Sequence, residues 1–326
     1  NKYIVRRGLK VLQNTNWPGI AKLKEKSGVA NEVPNAGHIG FRLAPRINSA
    51  GRIGDPYLAL SLLLQDKGSP KLEGLGTQLE ELNKTRQDMT RDGVFEAIKR
   101  IHPQSNLSII VEESPDWHVG ILGLIASKLA EKYSLPSIVL QDRGEFLTAS
   151  ARSPEFFDIT KALSEFSHYL ESYGGHPQAA GFTVKKENFS NLKRELFKYS
   201  KKIIAKNDCK PILEIDCEIS PEHLSLDAFH TLEKLSPFGI ANPRPKFILK
   251  RVKAHFPKTV GKTADHLKFS IEHKKDLIDV IAFNLGDQLS ALRSAKSINL
   301  VFELQKNTWN NSEKLSLRAL DFKINA

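Results

Sequence analysis

The segment from Lys71 to Ile101 is long and polar. Its apolar residues Leu72, Leu75, Leu79, Leu82, Met89, Val94, Ile98 and Ile101 recur mostly at steps of three, four or seven. That spacing puts one narrow apolar stripe on a single extended helix, with charged residues elsewhere around it. A helix of this kind joins two bodies, so the chain cannot be one simple core. Its 326 residues leave room for two or three domains.

Downstream of the helix the hydrophobic period alternates, as a layered α/β unit requires. Leu107–Val111 reads as a buried strand, Val119–Tyr133 as a helix, and Ser137–Leu140 as a second strand, an order with short joints that favours parallel pairing. Phe146–Ala151 is a further strand. Asp158 can cap a helix carrying Ile159, Ala162, Leu163, Phe166 and Leu170, and a last helix runs from about Asn188 to Lys206. After Ala205–Pro211 the character changes. A short helical section around Pro221–Leu235 precedes five strand-like runs at 247–252, 266–271, 277–283, 298–304 and 315–320, with polar turns such as Asn310-Asn311. Short strands with polar turns suggest a small barrel, either of the OB type or a generic β-barrel with a basic face. Before the helix, residues up to about 66 form a helix-and-loop region ending in Tyr57–Leu64.

Composition narrows the setting. A hydrophobic fraction of 40% and a charged fraction of 26% suit a globular protein, and no apolar run approaches the roughly 20 residues of a bilayer span. Asn1–Gly8 lacks the apolar core of a signal peptide, and a start without methionine reads as a fragment or a processed product. Cys209 and Cys217 match no zinc or redox spacing, which fits a reduced, cytoplasmic setting. The net charge is +11, and much of it is local. Between Ile240 and Lys275, ten lysines and arginines stand against two acids. Such a run is the footprint expected for a polyanion, with Arg244, Lys246, Lys250, Arg251 and Lys268 as candidate contacts.

Three motifs suit phosphate. Asn48-Ser-Ala-Gly-Arg52 sets polar groups among small residues, where Arg52 either forks onto an oxyanion or pairs with an acid such as Asp55. Ser150 and Arg152 share one side of a strand because side chains alternate, so they face either a phosphate oxygen or water. Gly174-Gly175-His176 reads as a tight turn with free amides and one imidazole, which is either a phosphate contact or a structural turn residue. His118 opens a helix and hydrogen-bonds there. There is no HxxxH, HExxH or CxxC set, no Walker loop and no GxSxG elbow, so the chain reads as a phosphate binder without an evident catalytic engine.

Taken in order, Asn1–Gly8, His38–Pro56, Asp116-Trp-His-Val-Gly120, Ile125-Ala-Ser127, Ala149-Ser-Ala-Arg-Ser153, Tyr173-Gly-Gly-His-Pro-Gln-Ala-Ala-Gly181 and Ser236-Pro-Phe-Gly-Ile-Ala-Asn-Pro243 resemble the RecJ family of the DHH phosphodiesterase superfamily. The likeness runs from the first residue to about Phe322. It implies an α/β chain with the remnant of a DHH domain (1–66), a connecting helix (67–102), an α/β DHH-associated domain (103–206) and a C-terminal OB-type β-barrel (207–326). It implies part of an exonuclease of DNA repair and recombination that degrades single-stranded DNA from the 5′ end with Mn2+ or Mg2+. A single-strand-binding protein and a helicase are the implied partners. The Asp-His-His motif is absent, so the metal ligands are expected outside this chain, and catalysis by this piece alone is not expected. The resemblance assigns Asn48, Arg52, Ser150, Arg152, Gly174, Gly175 and His176 to substrate phosphate and the basic barrel to the strand. The competing readings are a stand-alone single-strand-binding module and a phosphodiesterase for oligonucleotides or cyclic dinucleotides.

Overall fold

The computed structural model describes residues 1–101, 107–205, 212–273, 276–309 and 312–325. The chain divides into two compact units, one of Leu9–Pro211 and one of Ile212–Ala326 together with Asn1–Gly8. Helix α1 (Lys2–Gln13) has no buried residue and straddles the boundary between them.

In the larger unit, α2 (Pro18–Lys26) begins at a proline, whose fixed φ suits a first helical turn. The short α3 (Ala36–His38), capped by the Asn35 side chain, passes through a π-helical turn at Ile39–Leu43 into α4 (Ala44–Ile53). Asp55 caps α5 (Pro56–Leu63) by accepting from the Tyr57 amide. Leu23, Leu43, Ala50, Leu62 and Leu79 form their shared core. The expected long helix is α6 (Leu72–Arg100). Arg46 on α4 is tied to Glu80 on α6 by two hydrogen bonds, one of them 3.0 Å, which fixes the first half of α6 against α4.

The second half of α6 packs on a five-stranded sheet through α7. Strand β1 (Ile110–Ser114) leads through α7 (Val119–Tyr133) to β2 (Ser137–Asp142), and the two strands pair in parallel as the strand–helix–strand order requires. Next come β3 (Phe146–Arg152), α8 (Ile159–Glu165), β4 (Leu170–His176), β5 (Ala179–Lys185) and α9 (Lys186–Ile204). The spatial order is β1-β2-β3-β5-β4, so β4 is an edge strand. One face carries Ile138, Leu140, Leu147, Ala149, Ala151, Phe182 and Val184 into a core shared with Leu192 and Leu196 of α9. The opposite face presents Val139 to Ile121, Leu122 and Ile125 of α7.

Two local expectations change. The helix that starts after Asp158 stops at Glu165, and Leu170 belongs to β4, because an apolar residue at helical spacing also fits the alternation of a strand. Gly174-Gly175-His176 is likewise not the turn. It lies inside β4, and the chain reverses at Pro177-Gln178.

In the smaller unit, β6 (Cys217–Glu218) and α10 (Leu226–Glu233) precede β7 (Phe247–Val252), β8 (His255–Val260), β9 (His266–His273), β10 (Asp276–Ala282), α11 (Leu289–Ser294), β11 (Ser297–Trp309) and β12 (Ser312–Asn325). Their order is β6-β7-β11-β12-β10-β9-β8. All five expected strands are present, with β6 and β8 added. Only Lys253 and Ala254 separate β7 from β8, yet the two strands are not neighbours in the ladder. The ladder ends at β6 on one side and β8 on the other, so the expected barrel is not a closed ring of paired strands. Leu249, Leu267, Phe269, Val280, Ile298, Leu300, Phe302 and Leu317 fill its interior. The boundary at 206–211 and the turn at 310–311 lie outside the described residues.

Candidate functional site

In the larger unit, α4, α6, α7 and β3 bring arginines together. Asn48 and Arg52 are four residues apart on α4, hence on one face. Arg52 Nη1 donates to the Gly120 carbonyl at 3.0 Å. Its other candidate partner, Asp55, is occupied in capping α5. A Cβ on Gly120 would lie 1.9 Å from the Arg52 carbonyl oxygen, so only glycine allows the first turn of α7 to approach the end of α4 this closely. His118 completes that turn, its Nδ1 accepting from the Gly120 amide at 3.0 Å.

Ser150 and Arg152 stand side by side on β3, with Arg152 Nη1 donating to Ser150 Oγ at 3.2 Å and to the Ala151 carbonyl at 2.8 Å. A Cβ on Gly123 of α7 would meet Arg152 Nη2 at 2.7 Å and Ser150 Oγ at 3.1 Å. Two glycines one helical turn apart thus let α7 pack beside both Arg52 and Arg152. Burial and then the nearby Arg52 charge lower the Arg152 pKa.

Arg86, midway along α6, is the member that sequence reading missed. Its Nη2 donates to the buried Asn83 Oδ1 at 3.0 Å, while its buried Nε has no partner. Burial, then Arg52, then Arg46 lower its pKa. In the sequence Arg86 is one more charge on a polar helix. An unmatched basic residue near the stripe position Leu82 was the only available signal. No carboxylate among the described residues pairs with Arg52, Arg86 or Arg152. The three arginines are half-buried, and like charges partly removed from water without counter-charge are unfavourable alone and become favourable when an anion binds among them.

The sheet extends this site. Arg152, Ala179 and His176 lie opposite one another across β3, β5 and β4, as do Ser150, Gly181 and Gly174. Opposed residues share a face, so arginine and serine flank one side of a floor of small residues, and His176 stands on the other. Two ladder spacings of about 4.8 Å put His176 roughly 10 Å from Arg152, room for a phosphodiester. Gly174 has open space where a Cβ would be, whereas Gly175, at φ 147°, would place a Cβ 2.3 Å from the Ala179 carbonyl oxygen. Gly175 is needed to build the hairpin, and Gly174 leaves the floor bare.

In the smaller unit the five basic candidates differ. Arg244 pairs with Glu233 at 2.5 Å and lies 4.4 Å over the Phe238 ring. Lys250 pairs with Glu218 at 2.6 Å and Lys268 with Asp279 at 2.8 Å. Arg251 is exposed, with its backbone at φ 55°, and Lys246 is held through its backbone, its amide donating to Asp216 Oδ2 and its carbonyl accepting from the Asp216 amide, both at 2.9 Å. Surface pairs like these contribute about 0–1 kcal/mol, so a phosphate can replace the carboxylate at little expense.

A family model of the RecJ OB domain matches residues 215–321, and one of the DHHA1 domain matches residues 106–202. The chain carries a DHHA1 domain followed by a RecJ OB domain. The single-stranded-DNA-specific exonuclease RecJ of Bacillus subtilis is 32% identical over 98% of this chain and 41% of that protein. RecJ of Haemophilus influenzae is 28% identical over 92% of the chain and 54% of the protein. The crystal structure of Thermus thermophilus RecJ with Mn2+ superposes with a TM-score of 0.84 at 27% identity, covering 99% of this chain and 46% of that one. Its Mg2+ complex gives 0.83. The chain spans about half the length of the curated relatives it matches. Those RecJ structures hold metal ions, but the described residues here do not fit one. Among the described residues no three His, Cys, Asp or Glu side chains converge to hold a cation, and the arginine cluster would repel it. No helix of the described residues is long and apolar enough to cross a membrane.

Proposed function

We propose that this chain supplies the phosphate-gripping and strand-binding part of an exonuclease that degrades single-stranded DNA from the 5′ end in repair and recombination. The observation that carries the proposal is the set of three arginines, Arg52, Arg86 and Arg152, gathered without a carboxylate partner among the described residues beside Ser150. A terminal or scissile phosphate supplies the missing negative charge, with guanidinium donors fixed in place before it arrives. His176, Gly174 and Gly175 border the same floor, and Asn48 shares the Arg52 face. Arg244, Lys246, Lys250, Arg251 and Lys268 hold the strand farther along by phosphate contacts. In this reading the whole protein uses Mn2+ or Mg2+ held by residues outside this chain, works in the cytoplasm, and meets a single-strand-binding protein and a helicase. The divisions at 1–66, 67–102, 103–206 and 207–326 are its working parts.

The test compares short single-stranded oligonucleotides bearing a 5′-phosphate or a 5′-hydroxyl. The purified chain should bind the phosphorylated strand more tightly, with affinity falling steeply as salt rises, and should cleave neither strand in Mn2+. Equal affinity for both ends would remove the terminal-phosphate assignment. Metal-dependent cleavage by this chain alone would show that the catalytic groups lie within it.

A further inference from the structure

Strand β8 holds an arrangement that the fold itself does not need. Phe256 has φ 53°, in the left-handed region that bulky residues rarely adopt, and it precedes Pro257, which disfavours compact backbone at the residue before it. Burial does not compensate, because the Phe256 side chain is 75% exposed. The surroundings fix the conformation. The register slips between His255, opposite Ser270, and Lys258, opposite Lys268, so the Phe256-Pro257 pair bulges out of the ladder. Arg293 Nε donates to the Pro257 carbonyl at 3.4 Å. Once pairing resumes, two lysines sit directly across from each other, although like charges in that position destabilise a sheet. Lys268 has Asp279 as its partner, and Lys258 has none among the described residues.

A strained, exposed ring followed two residues on by a cross-strand lysine pair answers to one ligand. Single-stranded nucleic acid offers a flat face to an aromatic ring and a phosphate to an ammonium at the next step along the strand. A protein partner would call for a broad apolar patch, whereas this ring has the His255 ring 6.1 Å away and Lys258 two residues on. We infer that Phe256 is a base-stacking platform for single-stranded DNA, with Lys258 and Lys268 holding adjacent phosphates. The inference rests on the strand-binding role proposed above for this unit and gives it a defined contact.

The test uses the whole chain with two labelled oligonucleotides of equal length, one of thymidines and one of abasic sugar-phosphate. Phe256→Ala should weaken binding of the thymidine strand about 5- to 150-fold. It should leave the abasic strand and the salt slope unchanged, while Lys258→Gln should shallow the slope by about 0.7. Phe256→Trp should retain affinity and show indole quenching when the thymidine strand is added. Phe256→Gly, which tolerates positive φ, should raise the melting temperature even as it weakens binding. If Phe256→Ala binds thymidines as tightly as the parent, the stacking role is wrong and the strand-binding role stands. If Phe256→Ala lowers the melting temperature and weakens both strands equally, the ring is structural and the inference is overturned. If the parent binds neither strand, the strand-binding role itself falls, and the stacking role falls with it.

Discussion

Gly120→Ala sets two effects of opposite sign against each other. Helix propensity alone favours alanine over glycine by about 1 kcal/mol inside a helix. Position 120 is the second residue of α7, where a Cβ would stand 1.9 Å from the Arg52 carbonyl oxygen. Real contacts of this kind stay above 3.0 Å, so α7 must withdraw from α4 by at least 1.1 Å, the difference of the two. The opposing atom belongs to the backbone and cannot swing aside. Overpacking of that sort costs about 1–3 kcal/mol. Withdrawal also stretches the hydrogen bond from Arg52 Nη1 to the Gly120 carbonyl, now 3.0 Å. The expected net change is a loss of about 1–2 kcal/mol, or roughly 2–8 °C in melting temperature for a unit of this size. Gly74→Ala on α6 is the control, because nothing lies within 4 Å of its Cβ position. It should stabilise by up to about 1 kcal/mol. Thermal unfolding followed by circular dichroism gives both values. A Gly120→Ala protein that melts at or above the parent, as Gly74→Ala should, would refute the close docking of α7 on which the arginine cluster depends.

Arg152→Ala should lower the preference for a 5′-phosphorylated over a 5′-hydroxyl strand about 10-fold or more, since a hydrogen bond to a charged group is worth about 1.5–3 kcal/mol; equal losses on the two strands would show that Arg152 does not hold the terminal phosphate. Gly175→Ala should destabilise by about 1–3 kcal/mol because φ 147° and the Ala179 carbonyl leave no room for a methyl, whereas Gly174→Ala should leave the melting temperature within about 1 °C and chiefly weaken DNA binding. Glu73 is held at about 2, below its ordinary 4.5, by hydrogen bonds from Lys22 and then Lys26. Its contribution is complete above about pH 5 and is lost as pH falls through 2, so the small difference in melting temperature between the parent and Glu73→Gln should be constant near neutrality and vanish in acid. A difference that grew on acidification would contradict that sign.

Much of this architecture is visible in the residue pattern. The stripe from Leu72 to Ile101 marks α6, and the change of period marks β1, α7, β2 and β3, because burial of one face leaves its repeat in the sequence whatever the partner. Ser150 and Arg152 sit together by strand alternation alone. Where local signals compete, the pattern misleads. His176 sits among glycines and a proline and reads as a turn, yet pairing with β5 draws it into an edge strand. Strand β8 escapes detection because Phe256-Pro257 interrupts its alternation at the bulge.

What the sequence determined by itself is the inventory: which segments are helical or extended, in what order they come, and that phosphate-binding side chains are abundant. Which of those side chains act together was decided by tertiary structure. Arg86 is one more charge on a polar helix until α4 brings Arg46 and Arg52 beside it. Arg244, Lys250 and Lys268 look free until Glu233, Glu218 and Asp279 come beside them. The reason is physical: periodicity records which way a side chain faces, whereas charge acts over a few ångströms of space regardless of separation along the chain. Only packing determines whether an arginine finds a carboxylate or is left to wait for a phosphate.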